Sequence, residues 1–344
     1  MSIILSTLSK TFCIAELSAN HGQDKAIALQ TIDAAAKAGA DAIKIQTYTP
    51  DTMTLNINTA PFIVETNNSW AGKSLYDLYQ EAMTPWEWHA ELKQAAEACG
   101  LVFFSTPFDF TAVDFLEKLE VPLYKVASFE IVDIPLIKRV ARVGKPIIIS
   151  TGMASLEEIQ AAVDACYEEG NREIALLRCV SAYPAPLQEM NLSSIQKLKE
   201  FRTTVGLSDH TIDSTAAVIA VALGSKIIEK HFILDRKLGG PDSFFSLEPS
   251  EFKSMVDQIR VVESALGTPR FGPSPSEESS FGFRRSLFVV KNIRSGEVFT
   301  EEHVRSIRPS NGLSPIELPK VLGQVALKDI VAGTPLSHEY FNSN

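Results

Sequence analysis

From Thr11 to about Gly267, short β-rich apolar runs alternate with longer amphipathic segments, the pattern of repeated βα units around a parallel sheet. The runs are FCIAEL, DAIKIQT, LVFFSTP, LYKVAS, PIIIST, IALLRCV, TTVGLS and KIIEKHF, eight in all. Between them lie helix patterns such as ALQTIDAAAKAGA, WEWHAELKQAAEACG, LEEIQAAVDACYEEG and STAAVIAVALGS, several closed by a glycine suited to a helix C-terminus. Eight such units over roughly 250 residues predict a (β/α)8 TIM barrel; a doubly wound open sheet, built of similar units, is the alternative.

Tyr48 to Thr84 is too long for a simple loop and sits between the second strand and its helix, where a barrel insertion is expected to cover the active site. A helix over Glu251–Leu266, with Ser250 placed to cap it, ends the barrel domain at residues 1–267. Residues 268–284 are rich in Gly, Pro and Ser and read as a linker. Residues 285–344 show short strand-like runs broken by turn residues, which predicts a small β-rich domain whose core alone is marginal.

A formal net charge of -10 argues against a surface for nucleic acid or an anionic membrane, both of which need a basic face. The N-terminus lacks a charged segment followed by a full apolar stretch, and no apolar run approaches the length of a membrane span, so a cytoplasmic protein is expected. Cys13, Cys99, Cys166 and Cys179 form no CxxC pair and are read as free buried thiols.

Catalytic groups of a barrel enzyme sit at the C-terminal ends of the strands. Every predicted strand of this chain ends in polar residues: Glu16, Asn20 and His21; Lys44 and Gln46; Ser105 and Thr106; Lys125, Ser128 and Glu130; Ser150; Ser181 and Tyr183; Ser208, Asp209 and His210; Glu229, Lys230 and His231. A purely structural interior would end in aliphatic residues, because unpaired buried charges are costly. Taken singly each has a structural explanation: a lysine can pair with Glu16 or Glu229, and a serine can cap a helix. Taken as a ring they predict a functional site. Lys44 and Lys125 with Thr106, Ser128, Ser150 and Ser208 suit a phosphate or carboxylate. His210 and His231 end neighbouring strands, where two imidazoles can reach one divalent ion with open positions, Mn²⁺ or Mg²⁺ rather than a closed zinc site. His21 is a candidate acid, base or donor, or else a loop-orienting residue, while His89 falls on a helix and reads as structural.

The segments IAELSANHGQD, AIKIQTYTPDTMT, FFSTPFD, YKVASFE, IISTGM, VGLSDHT and EKHF, followed by GPDSFFSLEP, resemble the motif series of the sialic acid synthase family in order and spacing. The tail, with IRPSNGL, is similar to the antifreeze-like (SAF) domain that completes these enzymes. AELSANH, QTYTPDTMT and LYDLYQEAMTPWEWH resemble the pseudaminic acid branch of that family.

The resemblance implies a condensation of phosphoenolpyruvate with an open-chain N-acetylated amino sugar, giving a nonulosonic acid and phosphate. The neuraminate and legionaminate acceptors are the alternatives within the family. It implies that His210 and His231 hold the metal, and that Lys44, Thr106, Lys125, Ser128, Ser150, Tyr183 and Ser208 hold phosphoenolpyruvate. Glu16, Glu130, Glu229 and Asp242 would lie near the sugar and the reacting centre. Ser181 stands where sialic acid synthases often carry Asn. Arg308 would meet an acyl group of the sugar in the barrel of a second copy, in a domain-swapped homodimer. A Schiff-base aldolase using Lys125 or Lys230 is the rival enzyme class, and a glycan- or ice-binding module is the non-enzymatic one.

Overall fold

The computed structural model describes residues 3–65 and 71–342. Eight parallel strands close into a barrel: β1 Phe12–Glu16, β2 Ala42–Thr47, β3 Val102–Pro107, β4 Tyr124–Val126, β5 Ile147–Ser150, β6 Ile174–Cys179, β7 Thr204–Asp209 and β8 Ile227–His231. They pair in sequence order, and β8 returns to β1 with Ile14 opposite Glu229 and Glu16 opposite His231. The closed barrel excludes the open-sheet alternative.

Closure gives each strand one face toward the barrel axis and one toward the helices. Phe12, Ile14, Ala42, Phe104, Leu123, Ile148, Ala175, Leu177 and Ile227 fill the lower interior as one buried cluster. Cys13, Ala15, Ile43, Ile45, Phe103, Tyr124, Ile149, Leu176, Leu207 and Ile228 face the opposite way, in the larger core shared with helices such as Lys25–Lys37, Phe110–Lys118 and Leu156–Glu168. Because the period is two residues, the next inward positions above the apolar plug are Glu16, Lys44, Thr106, Lys125, Ser150, Cys179, Ser208 and Glu229. The polar strand ends therefore rest on a packed floor.

The long connection after β2 carries short helices at Pro50–Met53 and Leu75–Ala82. Its end is tied to the loop after β1, where Gln23 Nε2 donates to the carbonyls of Glu81 (3.0 Å) and Met83 (2.6 Å). Residues 66–70 of that insertion lie outside the described residues. The last helix of the barrel unit runs Pro249–Leu266, and its capping box uses Glu248 and Glu251. Ser250, expected as the cap, is instead inside the first turn: Pro249, with no N–H to donate, takes the first helical position.

The chain divides into compact units at Met1–Gly267 and Thr268–Asn344. In the second, β9 Ser286–Val289 pairs antiparallel with β10 Val304–Ile307, and the remaining β structure consists of single bridges such as Ile293 with Ile330 and Ala326 with Phe341. Leu287, Val289, Phe299, Val304, Ile330, Leu336 and Phe341 form its core. The stretch read as a linker includes a helical turn at Glu278–Phe281. Among the cysteines, Cys99 is exposed, contrary to expectation, because it follows the last residue of the helix His89–Ala98.

Candidate active site

The upper inward layer forms a small polar cavity lined by Glu16, Lys44, Gln46, Thr106, Lys125, Ser128, Ser150, Tyr183, Ser208, His210, Glu229 and His231. Neighbouring strands hold it in register: Glu16 is opposite Lys44, and Ser208 is opposite Glu229. Lys44 Nζ lies 2.6 Å from Glu16 Oε2, 3.2 Å from Thr106 Oγ1 and 4.0 Å from Glu229 Oε2. Lys125 Nζ donates to Ser150 Oγ at 2.7 Å and lies 3.6 Å from Glu229 Oε1, which also accepts from Ser208 Oγ at 3.1 Å. Two lysines, two carboxylates and a set of hydroxyls thus share one buried, nearly neutral cluster. An arriving oxyanion could take the hydroxyl donors and both ammonium groups without building a new site.

Burial pushes the Glu16 carboxyl up to about 7, with Lys44 opposing that shift. Glu229 is held below the usual range, because Lys125 and Lys44 outweigh its burial. Burial lowers Lys125, and the neighbouring Lys44 adds to the effect. Two carboxylates in one cavity are thereby set apart in acidity, the arrangement that lets one exchange protons while the other stays ionised.

The rings of His210 and His231 are 5.4 Å apart, flanked by Tyr183 and Phe245. His210 Nδ1 is 2.9 Å from the Val180 carbonyl; a proton on Nδ1 donated there leaves the Nε2 lone pair free. His231 Nδ1 is buried without a hydrogen-bond partner, 3.9 Å from Asp242 Oδ2, and burial keeps this imidazole neutral. Burial opposes the charged form of His210, but Cys179 and the Val180 carbonyl outweigh it and hold its pKa above the usual value; two imidazoles beside a carboxylate are a donor set that fits a divalent cation. Among the described residues no group of three or more His, Cys, Asp or Glu side chains is arranged to hold a metal ion.

Residues 31–270 match the NeuB family and residues 284–339 the SAF domain. The chain belongs to the NeuB family. It is 49% identical to a pseudaminic acid synthase of Helicobacter pylori, covering 94% of this chain and 96% of that one. It is 46% identical to a pseudaminic acid synthase of Campylobacter jejuni, over 98% of both. Among solved structures, the N-acetylneuraminic acid synthetase of Leptospira borgpetersenii is 34% identical, with a TM-score of 0.71 over 79% of this chain and 90% of that chain. The NeuB family is metal-dependent, in accord with the fit of the two histidines.

Several residues singled out from sequence lie elsewhere. His21 does not reach the cavity: it is fully buried, its Nδ1 accepts from Gln23 N at 3.1 Å, and its Nε2 faces Thr84 Oγ1 at 3.3 Å. Burial also pushes its pKa down to about 4, so it acts as a neutral link between the β1 loop and the insertion. Lys230 points outward between Glu229 and His231 and is wholly buried against Asp209 and the carbonyls of Thr211 and Asp213. A lysine so saturated with acceptors is no Schiff-base nucleophile. Ser105 also faces outward, bonded to Thr47 and the Ile45 carbonyl. His89 is a buried helix residue bonded to Thr47 and the Pro85 carbonyl.

Ser181 sits beside the cavity: a Cβ on Gly152 would collide with its hydroxyl and meet Ser128 Oγ at 2.8 Å. Asp242 accepts from Ser18 Oγ at 2.5 Å, and Ser18 in turn accepts from Gln46. Glu130 follows Ser128 on the turn after β4; burial pushes its carboxyl up to about 7, and Lys125 opposes the shift. Arg308 is an exposed residue of the second unit. Three lining residues were not expected, Ala127, Phe129 and Cys179. Cys179 could have been found by counting alternate positions inward from Leu177 along β6; Phe129 had no such signal, since it sits on a turn.

Proposed function

We propose that this chain is a pseudaminic acid synthase, a carbon–carbon bond-forming transferase. It condenses phosphoenolpyruvate with the open-chain aldehyde of 2,4-diacetamido-2,4,6-trideoxy-altrose and water to give pseudaminic acid and phosphate. The observation that carries this reading is the buried cluster of Lys44 and Lys125 with the hydroxyls of Thr106, Ser150 and Ser208 at the mouth of the barrel. The pseudaminic branch is supported by the identity to two synthases of that name.

In this reading the two lysines and the hydroxyls, with Ser128 and Tyr183, hold the phosphate and carboxylate of phosphoenolpyruvate. That fixes C3 of the enol against the aldehyde carbon, a gain from positioning. The C3–C1 bond forms as the enol electrons shift. Water then adds at C2, and the phosphate leaves by C–O cleavage. Glu16, whose carboxyl is pushed up to about 7, would take the proton of that water, and Glu130 and Asp242 would lie toward the sugar. His210 and His231 would hold the divalent ion, Mn²⁺ or Mg²⁺, which when bound supplies Lewis-acid polarisation of the aldehyde oxygen. Arg308 would serve the sugar's acyl group across a domain-swapped homodimer, which would also give the small second core a larger partner.

The test is phosphate release from phosphoenolpyruvate with Mn²⁺, comparing the altrose-configured sugar, N-acetylmannosamine and the legionaminic acid precursor. Selective turnover of the altrose sugar supports the reading. Preference for another acceptor rejects the branch, and no phosphate from any acceptor rejects the condensation.

A further inference from the structure

Outside the cavity, the barrel carries a fully buried ion pair on its helix-facing side. Asp209 ends β7 and Lys230 lies opposite it on β8; both side chains have zero exposure. The Lys230 ammonium lies 2.8 Å from Asp209 Oδ2, 2.5 Å from the Thr211 carbonyl, 2.8 Å from the Asp213 carbonyl and 3.2 Å from Thr211 Oγ1. Asp209 Oδ1 accepts from Thr211 N at 2.9 Å. Three N–H donors therefore meet four acceptors, two of them main-chain carbonyls of a single turn.

A structural role alone does not explain that choice. Buried ion pairs contribute little net stability compared with apolar residues of equal volume. What the pair does is fasten the chain on both sides of His210. Asp209 precedes it, and Thr211 and Asp213 follow. The remaining freedom of His210 is removed by Ala185 N, which donates to its carbonyl at 2.9 Å, and by its ring bond to Val180 O. Lys230 also lies between Glu229 and His231, so one side chain joins the backbones carrying both imidazoles.

We propose that the Asp209–Lys230 pair is a positioning device that locks the His210 imidazole, through the 209–213 turn, with Nδ1 toward the Val180 carbonyl. The proposal rests on the reading of the two histidines as metal ligands for its functional consequence, but not for its geometry. A ligand held this way is pre-organised, and loosening such outer partners typically weakens metal binding about 10–100-fold.

The experiment uses the full chain with two variants. D209N/K230M removes the charge pair without leaving a lone buried charge. D209N keeps the ammonium with its three Thr211 and Asp213 acceptors, and so guards against a double variant that does not fold. In metal-free protein with ¹⁵N-labelled histidine, wild type should show one Nδ1–H tautomer for His210, assigned by its loss in H210N; the variants should show a tautomer mixture. Mn²⁺ affinity, read from the free-ion electron paramagnetic resonance signal, should fall about 10–100-fold in the double variant and less in D209N. Activity should return at high Mn²⁺ with the KM for phosphoenolpyruvate unchanged, whereas a merely structural role would depress kcat at every metal concentration. Wild-type tautomer and Mn²⁺ affinity in a folded variant would overturn the proposal. A wild type that binds no Mn²⁺ would remove the metal reading, and the tautomer measurement would still decide the lock.

Discussion

Lys44 Nζ lies 2.6 Å from Glu16 Oε2 across β1 and β2, with both side chains almost completely buried. The pair is the hinge of the cavity's electrostatics, since the same ammonium also approaches Glu229. Replacing it with the nearly isosteric Lys44→Met leaves two buried carboxylates short of a counter-charge. The expected result is a loss of about 3–5 kcal/mol of stability in urea unfolding, together with loss of phosphoenolpyruvate binding. A variant as stable as wild type would mean that the cluster is more hydrated than its burial indicates.

Glu130 should give the protein a measurable pH dependence. Its folded-state pKa is pushed from 4.5 up to about 7 by burial, so the folded chain keeps a proton that the unfolded chain has already released. This contribution is complete below 4.5 and is lost as pH rises through about 7. Glu130→Gln removes it. The thermal midpoint of the variant relative to wild type should therefore rise between pH 5 and pH 8; a constant difference would place the carboxyl in ordinary solvent.

Gly152 has no room for a methyl group beside Ser128 and Ser181, and its N–H donates to Ser128 Oγ at 3.1 Å. In Gly152→Ala the two hydroxyls must move. We expect a KM for phosphoenolpyruvate raised about tenfold, equivalent to roughly 1.4 kcal/mol, without a matching fall in melting temperature. Steady-state phosphate release and calorimetry on the same sample separate the two effects.

Removal of the metal should distinguish the condensation from Schiff-base chemistry. Chelation, or His231→Ala, should lower turnover on the order of 100-fold or more, while borohydride with substrate should leave the enzyme active. Full activity in chelator with borohydride inactivation would favour Lys125 as a covalent nucleophile.

A domain-swapped dimer predicts complementation. Arg308→Ala and His210→Ala should each be inactive, yet unfolding and refolding them together in equal amounts should restore about a quarter of the sites, because one barrel of each heterodimer is then intact and meets an intact Arg308. No recovery from a refolded mixture, with wild type recovering in parallel, would place Arg308 in its own chain's site.

The eight strands could be read directly because their apolar runs are short and bounded, and the polar ends of those runs marked the layer that lines the cavity. Lys44, Thr106, Lys125, Ser150 and Glu229 all occupy inward positions directly above an apolar one, so alternation and strand end coincide. Between the two readings of His21, its contacts with Gln23 N and Thr84 Oγ1 match the loop-orienting one; it lies beyond the end of β1, where the two-residue period no longer dictates direction. The small domain is less regular than its pattern, because short segments satisfied by single bridges still alternate like strands.

The order of βα units, the polar character of every strand end and the family motifs were legible in the amino-acid sequence, because each is written in local periodicity and residue type. Only the tertiary structure decided which of three consecutive polar residues, Glu229, Lys230 and His231, serve the cavity and which one faces the helices. The physical reason is closure. Until β8 hydrogen-bonds to β1 no face of any strand is inside, and once it does, a shift of one residue separates the cavity-lining Glu229 and His231 from the outward-facing Lys230.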